Sequence, residues 1–169
     1  FSDIKSAFEE YSILVFPNQP LTDEQQVVFS QRFGDLENTI NSKQQGGAGK
    51  PVTVLTNVGK NGEVIAPEDR RMVFNTGNQM WHTDSSFKPI PAMMSLLSGR
   101  EVPPEGGETE FASMRAAYDD LDSDEKNELE QLICVHDFAY SRSLIDTSLL
   151  DREDKYELPP VRQAMIRKN

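Results

Sequence analysis

His82 and Asp84 stand two positions apart in the segment Trp81-His82-Thr83-Asp84. On an extended backbone residues i and i+2 point to the same side, so an imidazole nitrogen and a carboxylate oxygen at this spacing can reach one ion. One histidine and one carboxylate make up two members of the facial triad that holds non-haem iron(II), an arrangement that leaves three octahedral positions open. Those positions suit a chelating 2-oxo acid and dioxygen, whereas a closed four-ligand site has room for neither. The bare pair is a weak signal, because a solvated histidine beside a capping aspartate is a common surface arrangement. Its surroundings strengthen it. Trp81 and Phe87 bracket the pair with aromatic bulk, as a dry pocket requires, and Asn78 offers an amide four residues before His82. Asparagine on a loop is more often a turn former, and Asn78 carries that second reading too.

Other reactive side chains point less clearly to chemistry. Cys134 and His136 are also two apart, but the Leu132-Ile133-Cys134-Val135 setting is apolar and would silence a thiol, so core packing is the reading there. Arg70-Arg71 precedes the metal segment and reads as a solvated face rather than an anion trap. Met93, Met94, Leu96 and Leu97 read as the core of a strand.

The elements that must position these groups follow from periodicity. Ile4, Ala7, Phe8 and Tyr11 recur at helical spacing. Residues 12–16 (SILVF) form an expected buried strand, broken by Pro17-Asn18-Gln19-Pro20. Thr22 with Gln25 forms a capping box for a second helix, with Val28, Phe29 and Phe33 as its apolar face and Gly34 as a left-handed terminator. Residues 38–50 are polar and glycine-rich and read as a loop. Residues 52–58 alternate like a strand, and Gly59-Lys60-Asn61-Gly62 turns the chain into Val64-Ile65. The stretch 67–91 reads as a functional loop flanking a short strand. Further strands are expected at 92–98, 109–112 and 133–138, with a helix capped by Asp122 and Glu125 between the last two. The tail 146–169 shows no strong pattern. Short strands with Pro/Gly turns and peripheral helices suggest a β-sandwich or jelly-roll, with too few strands here to close the sheet.

Composition sets the class. The chain has 169 residues, 37% hydrophobic and 27% charged, which fits one soluble domain over 1–169. No apolar run approaches the roughly 20 residues needed to span a bilayer, and no basic-then-apolar leader is present. The formal net charge of −11 argues against nucleic acid and anionic membrane as partners, because like charges repel. It leaves a small anionic substrate open, since one or two arginines can hold a carboxylate. A lone cysteine, Cys134, fits a reducing compartment and hence the cytoplasm.

The run Asn78-Gln79-Met80-Trp81-His82-Thr83-Asp84-Ser85-Ser86-Phe87, then Pro91, then Pro104-Glu105-Gly106-Gly107-Glu108-Thr109-Glu110-Phe111 resembles the taurine/2,4-dichlorophenoxyacetate dioxygenase family. Residues 12–16 and 113–118 extend the likeness, which runs from about Ile4 to about Arg142 and is nearest to the aryloxyalkanoate branch. The resemblance implies a mainly β fold with peripheral helices, a double-stranded β-helix of the clavaminate synthase-like type. It implies iron(II) on His82 and Asp84, the catalytic pair. It also implies 2-oxoglutarate as cosubstrate, with a carboxylate oxygen hydrogen-bonded by Thr109, and Asn78 on the substrate side. Read without the family, Thr109 is a strand residue of high β-propensity.

The family's distal histidine and its 2-oxoglutarate arginine lie further downstream than any residue here. His136 sits at a non-ligand position, and Arg142, Arg152, Arg162 and Arg167 come too early. The chain therefore reads as the N-terminal and central part of a longer jelly-roll, truncated at both ends.

The implied reaction consumes dioxygen and 2-oxoglutarate, hydroxylates a small anionic substrate, and releases succinate and carbon dioxide. An aryloxyalkanoate such as 2,4-dichlorophenoxyacetate is the first expectation and a sulfonate such as taurine the second, with amino acids or alkyl sulfates behind them. The rival from another class is a non-catalytic small-molecule-binding homologue on the same scaffold with its metal site lost. Self-association into a homo-oligomer is left open.

Overall fold

The computed structural model describes residues 1–37, 52–149 and 158–168, which fall into two compact units. One unit is residues 1–34 with 96–128, and the other is residues 35–95 with 129–169. The expected loop at 38–50 lies outside the described residues.

In the first unit, α1 (Ser2–Tyr11) forms where the periodicity predicts it. Ile4, Ala7 and Phe8 are its less exposed positions, while Tyr11 stays in solvent. Ser12 ends it in the left-handed region at φ 62°, its N–H donating to the Phe8 carbonyl at 2.8 Å. Helix α2 (Asp23–Ser30) starts with the expected box: the Thr22 hydroxyl accepts from the Gln25 N–H, and the Gln25 side chain accepts from the Thr22 N–H. Both bonds satisfy donors that the first helical turn leaves unpaired. Phe1, Phe29 and Phe33 pack edge to face, with ring centroids 4.9 to 6.3 Å apart. Val28, expected on that apolar face, is exposed. Gly34 does not terminate the helix: Gln31 does so in right-handed geometry, and Gly34 turns the chain afterwards at φ 151°.

Two short helices follow in this unit. The Ser113 hydroxyl caps α4 (Met114–Asp119), and Asp122 and Glu125 exchange the expected capping contacts at the start of α5 (Ser123–Leu129). Arg115 ties α4 to α1, donating to the Glu9 carbonyl at 2.6 Å and to the Ser12 hydroxyl at 2.7 Å. No periodicity announced α4, because six residues hold too few turns to show an apolar stripe.

In the second unit, β1 (Ile133–His136) pairs antiparallel with β2 (Val161–Ala164), Ile133 opposite Ala164 and His136 opposite Val161. β2 lies in the tail that showed no pattern. Four residues are too short for alternation to stand out, so its partner defines it. The Gly59–Gly62 turn forms as expected: the Gly59 N–H donates to the Glu63 carbonyl at 2.8 Å, and Gly62 takes φ 78°. The strand expected at 52–58 shrinks to a single bridge, Val58 to Val64.

The stretch read as an irregular loop with a short strand instead holds α3 (Arg70–Asn75) and a 3-10 turn (Thr76–Gln79). Asp69 nucleates α3, since its carboxylate accepts the Arg71 N–H at 2.9 Å and grips the Arg71 guanidinium at 2.8 Å. After β1 the chain turns into α6 (Phe138–Ser143), capped by Asp137, so the strand expected to reach residue 138 stops at His136. Phe138, Ile65 and Leu149 are the buried hydrophobic residues among the described residues of this unit.

The mainly β expectation is thus not what the described residues show. They hold six α-helices and one two-stranded sheet. Residues 12–16, 92–98 and 109–112 run without ladder pairing among the described residues, and Val15, Leu97 and Phe111 are exposed. A strand exists only when a neighbour takes its N–H and C=O groups, and apolar alternation cannot supply that neighbour.

Candidate metal centre

The 3-10 turn leads through Met80, extended at φ −82° and ψ 143°, into residues 81–83, which lie in neither helix nor strand, and a turn begins at Asp84. Ser85 holds that turn in the left-handed region at φ 59°, and its carbonyl accepts the Lys88 N–H at 2.9 Å. His82 and Asp84 meet across this junction, with Nε2 of His82 3.2 Å from Oδ1 of Asp84. Both side chains are accessible, at 47% and 58% of their full exposure.

Two neighbours fix the outer atoms of the pair. Nδ1 of His82 lies 2.7 Å from the Met80 carbonyl oxygen. A carbonyl can only accept, so Nδ1 carries a proton, and when the ring is neutral Nε2 presents its lone pair. The Ser95 hydroxyl donates to Oδ2 of Asp84 at 2.6 Å, which leaves Oδ1 as the oxygen facing the imidazole. In the neutral ring two lone pairs therefore face each other across 3.2 Å. Such a contact is repulsive until a proton or a cation sits between them.

That geometry fits a transition-metal ion. Ligand atoms each about 2.1 Å from a divalent ion and at right angles are about 3 Å apart. The donor set, imidazole nitrogen with carboxylate oxygen, suits iron(II), and the outer hydrogen bond on Nδ1 is the usual companion of a metal-bound histidine. Among the described residues no cluster holds three or more histidine, cysteine or acidic side chains. The pair is an incomplete ligand set by itself.

The remaining expected residues are placed as follows. Asn78 is exposed on the 3-10 turn, four residues ahead of His82. Thr109 is exposed in the first unit, two residues after Gly107, and Gly106 and Gly107 both adopt φ 77°. Consecutive left-handed residues are open to glycine at little cost, which accounts for the Gly-Gly pair before Glu108 and Thr109. Trp81 does not shield the pair among the described residues, being 70% exposed. Phe87 packs against Phe138, with centroids 4.6 Å apart and the rings tilted by 47°. Arg71 is committed to Asp69, and Arg70 donates to the Leu149 carbonyl at 2.7 Å. Cys134 and His136 lie half-buried on one face of β1.

Sequence reasoning missed Ser95. It lies within an apolar run, 92–98, that read simply as buried strand. The signal was a hydroxyl among methionines and leucines, since a polar residue in such a run calls for a partner.

The chain belongs to the family described as Taurine catabolism dioxygenase TauD, TfdA family, whose model matches residues 1–169. Among curated relatives, it is 37% identical over 168 residues to the alpha-ketoglutarate-dependent 2,4-dichlorophenoxyacetate dioxygenase of Burkholderia sp. (strain RASC), covering 98% of this chain and 57% of that enzyme. It is 41% identical over 143 residues to the (S)-phenoxypropionate/alpha-ketoglutarate-dioxygenase of Sphingobium herbicidovorans, covering 83% of this chain and 46% of that enzyme. Among solved structures it is similar to AAD-2 in complex with Mn(II) and N-oxalylglycine, with a TM-score of 0.85 and 43% identity over 99% of this chain and 58% of that one. The chain spans under two thirds of the length of these proteins, and over that part it shares the fold of AAD-2.

Proposed function

We propose that this chain forms the N-terminal and central part, 1–169, of an iron(II)- and 2-oxoglutarate-dependent dioxygenase that hydroxylates a small anionic substrate. The observation that carries the reading is the contact between Nε2 of His82 and Oδ1 of Asp84, each with its outer atom already hydrogen-bonded. In this reading the two side chains are the first histidine and the carboxylate on iron. The ion, when bound, supplies an open coordination face for 2-oxoglutarate and dioxygen.

The protein's own contributions are positional. The Met80 carbonyl keeps the His82 proton on Nδ1, so that Nε2 faces the ion. Thr109 donates its hydroxyl to a carboxylate oxygen of 2-oxoglutarate, a role that draws support from its place after Gly-Gly-Glu and from the N-oxalylglycine bound to AAD-2. Asn78 lines the substrate side. The third ligand and the arginine that pairs with 2-oxoglutarate come from downstream sequence, because the only histidines here are His82 and His136.

Aryloxyalkanoates are the first substrate class, by likeness to the two herbicide dioxygenases, and sulfonates the second. No helix among the described residues is long and apolar enough to cross a membrane. The lone Cys134 favours a reducing compartment, and on that ground we place the enzyme in the cytoplasm. The non-catalytic alternative gains no support, since both expected ligands are present and meet.

Anaerobic addition of iron(II) and 2-oxoglutarate to the full-length protein should produce a weak visible charge-transfer band, absent in His82→Ala. A band that survives the substitution rules out the ligand assignment. Succinate release with phenoxyacetates or with taurine then ranks the substrate classes.

A further inference from the structure

Asp84 has two oxygens, and only one of them faces His82. A carboxylate with both oxygens free can rotate about its Cβ–Cγ bond or chelate an ion through both atoms, taking two coordination positions instead of one. Here the choice is made by the hydroxyl of Ser95, eleven residues downstream, which donates to Oδ2 at 2.6 Å. The bond is short, as expected for donation to a charged acceptor. It joins two separate stretches of backbone, the turn that begins at Asp84 and the segment 92–98, so the carboxylate is referenced to both. Oδ1 is thereby left 3.2 Å from Nε2 of His82, the spacing of two adjacent ligands.

We propose that Ser95 is a positioning residue for the metal site: its hydroxyl holds Oδ2 of Asp84 and commits Oδ1 alone to the ion. The inference rests on the ligand roles proposed above for His82 and Asp84. By limiting the carboxylate to one coordination position, Ser95 keeps the remaining face open. Threonine carries the same hydroxyl and retains the function. Alanine releases Oδ2, and affinity for a divalent ion falls by about tenfold or more, the usual consequence of losing an outer hydrogen bond on a metal ligand.

The test is an anaerobic Mn(II) titration of the full-length protein, following loss of the free-ion six-line EPR signal, with metal-free thermal unfolding measured alongside. The expected pattern is tight binding by wild type and Ser95→Thr, none by His82→Ala, and binding weakened by about tenfold or more in Ser95→Ala. Metal-free unfolding midpoints should match across the series. If Ser95→Ala binds Mn(II) like wild type while His82→Ala does not, the Ser95 assignment is overturned and the ligand assignment stands. If Ser95→Ala weakens binding but Ser95→Thr fails to restore it, the hydroxyl is not the cause and the proposal also falls. Wild-type protein that does not bind Mn(II) defeats the ligand assignment itself, and this inference with it.

Discussion

Substituting Gly77 tests how the turn ahead of the metal pair is held. Gly77 is buried in the 3-10 turn Thr76–Gln79, and a Cβ there would lie 1.7 Å from Nη1 of Arg142 and 2.8 Å from its Cζ. The guanidinium sits against Phe74 and Phe138, 4.6 and 5.0 Å from the ring centroids, and Nη1 donates to the Phe74 carbonyl at 3.2 Å. Gly77→Ala must therefore expel it. A hydrogen bond from a charged group is worth about 1.5–3 kcal/mol, and contact with aromatic faces about 0.5–2 kcal/mol. Two effects reduce the loss. Nε of Arg142 is buried and finds no hydrogen-bond partner among the described residues, and release to solvent relieves it. Alanine is also better than glycine in helical backbone by about 0.5–1 kcal/mol. The net expectation is a loss of about 2 kcal/mol with an unchanged denaturant slope, read by urea unfolding of the full-length protein. In an Arg142→Ala background the same Gly77→Ala change should be close to neutral, which gives a coupling of about 2 kcal/mol. Equal losses in both backgrounds would refute the argument and move the cause to Ile145, whose Cδ1 lies 3.0 Å from the same point.

Two further outcomes follow from local geometry. Arg71 hydrogen-bonded to Asp69 lowers the Asp69 carboxyl to about 2, below an unfolded value near 3.9. A depressed carboxylate stabilises the fold above its unfolded value and loses that contribution as pH falls towards the folded one. Thermal unfolding of Asp69→Asn should therefore show a shallower decline than wild type between about pH 4 and pH 2, and parallel declines would rule this out. Ser85 holds φ 59°. Ser85→Val should destabilise by about 1–2 kcal/mol, because a β-branched side chain is strained there, while Ser85→Gly stays close to neutral. Equal urea midpoints for the valine and glycine variants would count against that strain.

Much of the local structure was legible because its causes are local. A capping box needs two side chains three residues apart, so Thr22 with Gln25 and Asp122 with Glu125 could be read directly. The Gly59–Gly62 turn and the helix at Ile4 to Tyr11 have the same local origin. So has the spacing that lets His82 and Asp84 meet. Pairing and packing were not legible, because they depend on residues distant in the chain. Val161–Ala164 becomes a strand only through β1, Phe87 packs against Phe138, and Arg142 reaches back to Phe74. Ser95 shows the division most directly. The sequence determines that a hydroxyl interrupts an apolar run, but only the tertiary structure brings it to the free oxygen of Asp84, because that contact closes a loop of eleven residues whose path no short-range pattern specifies.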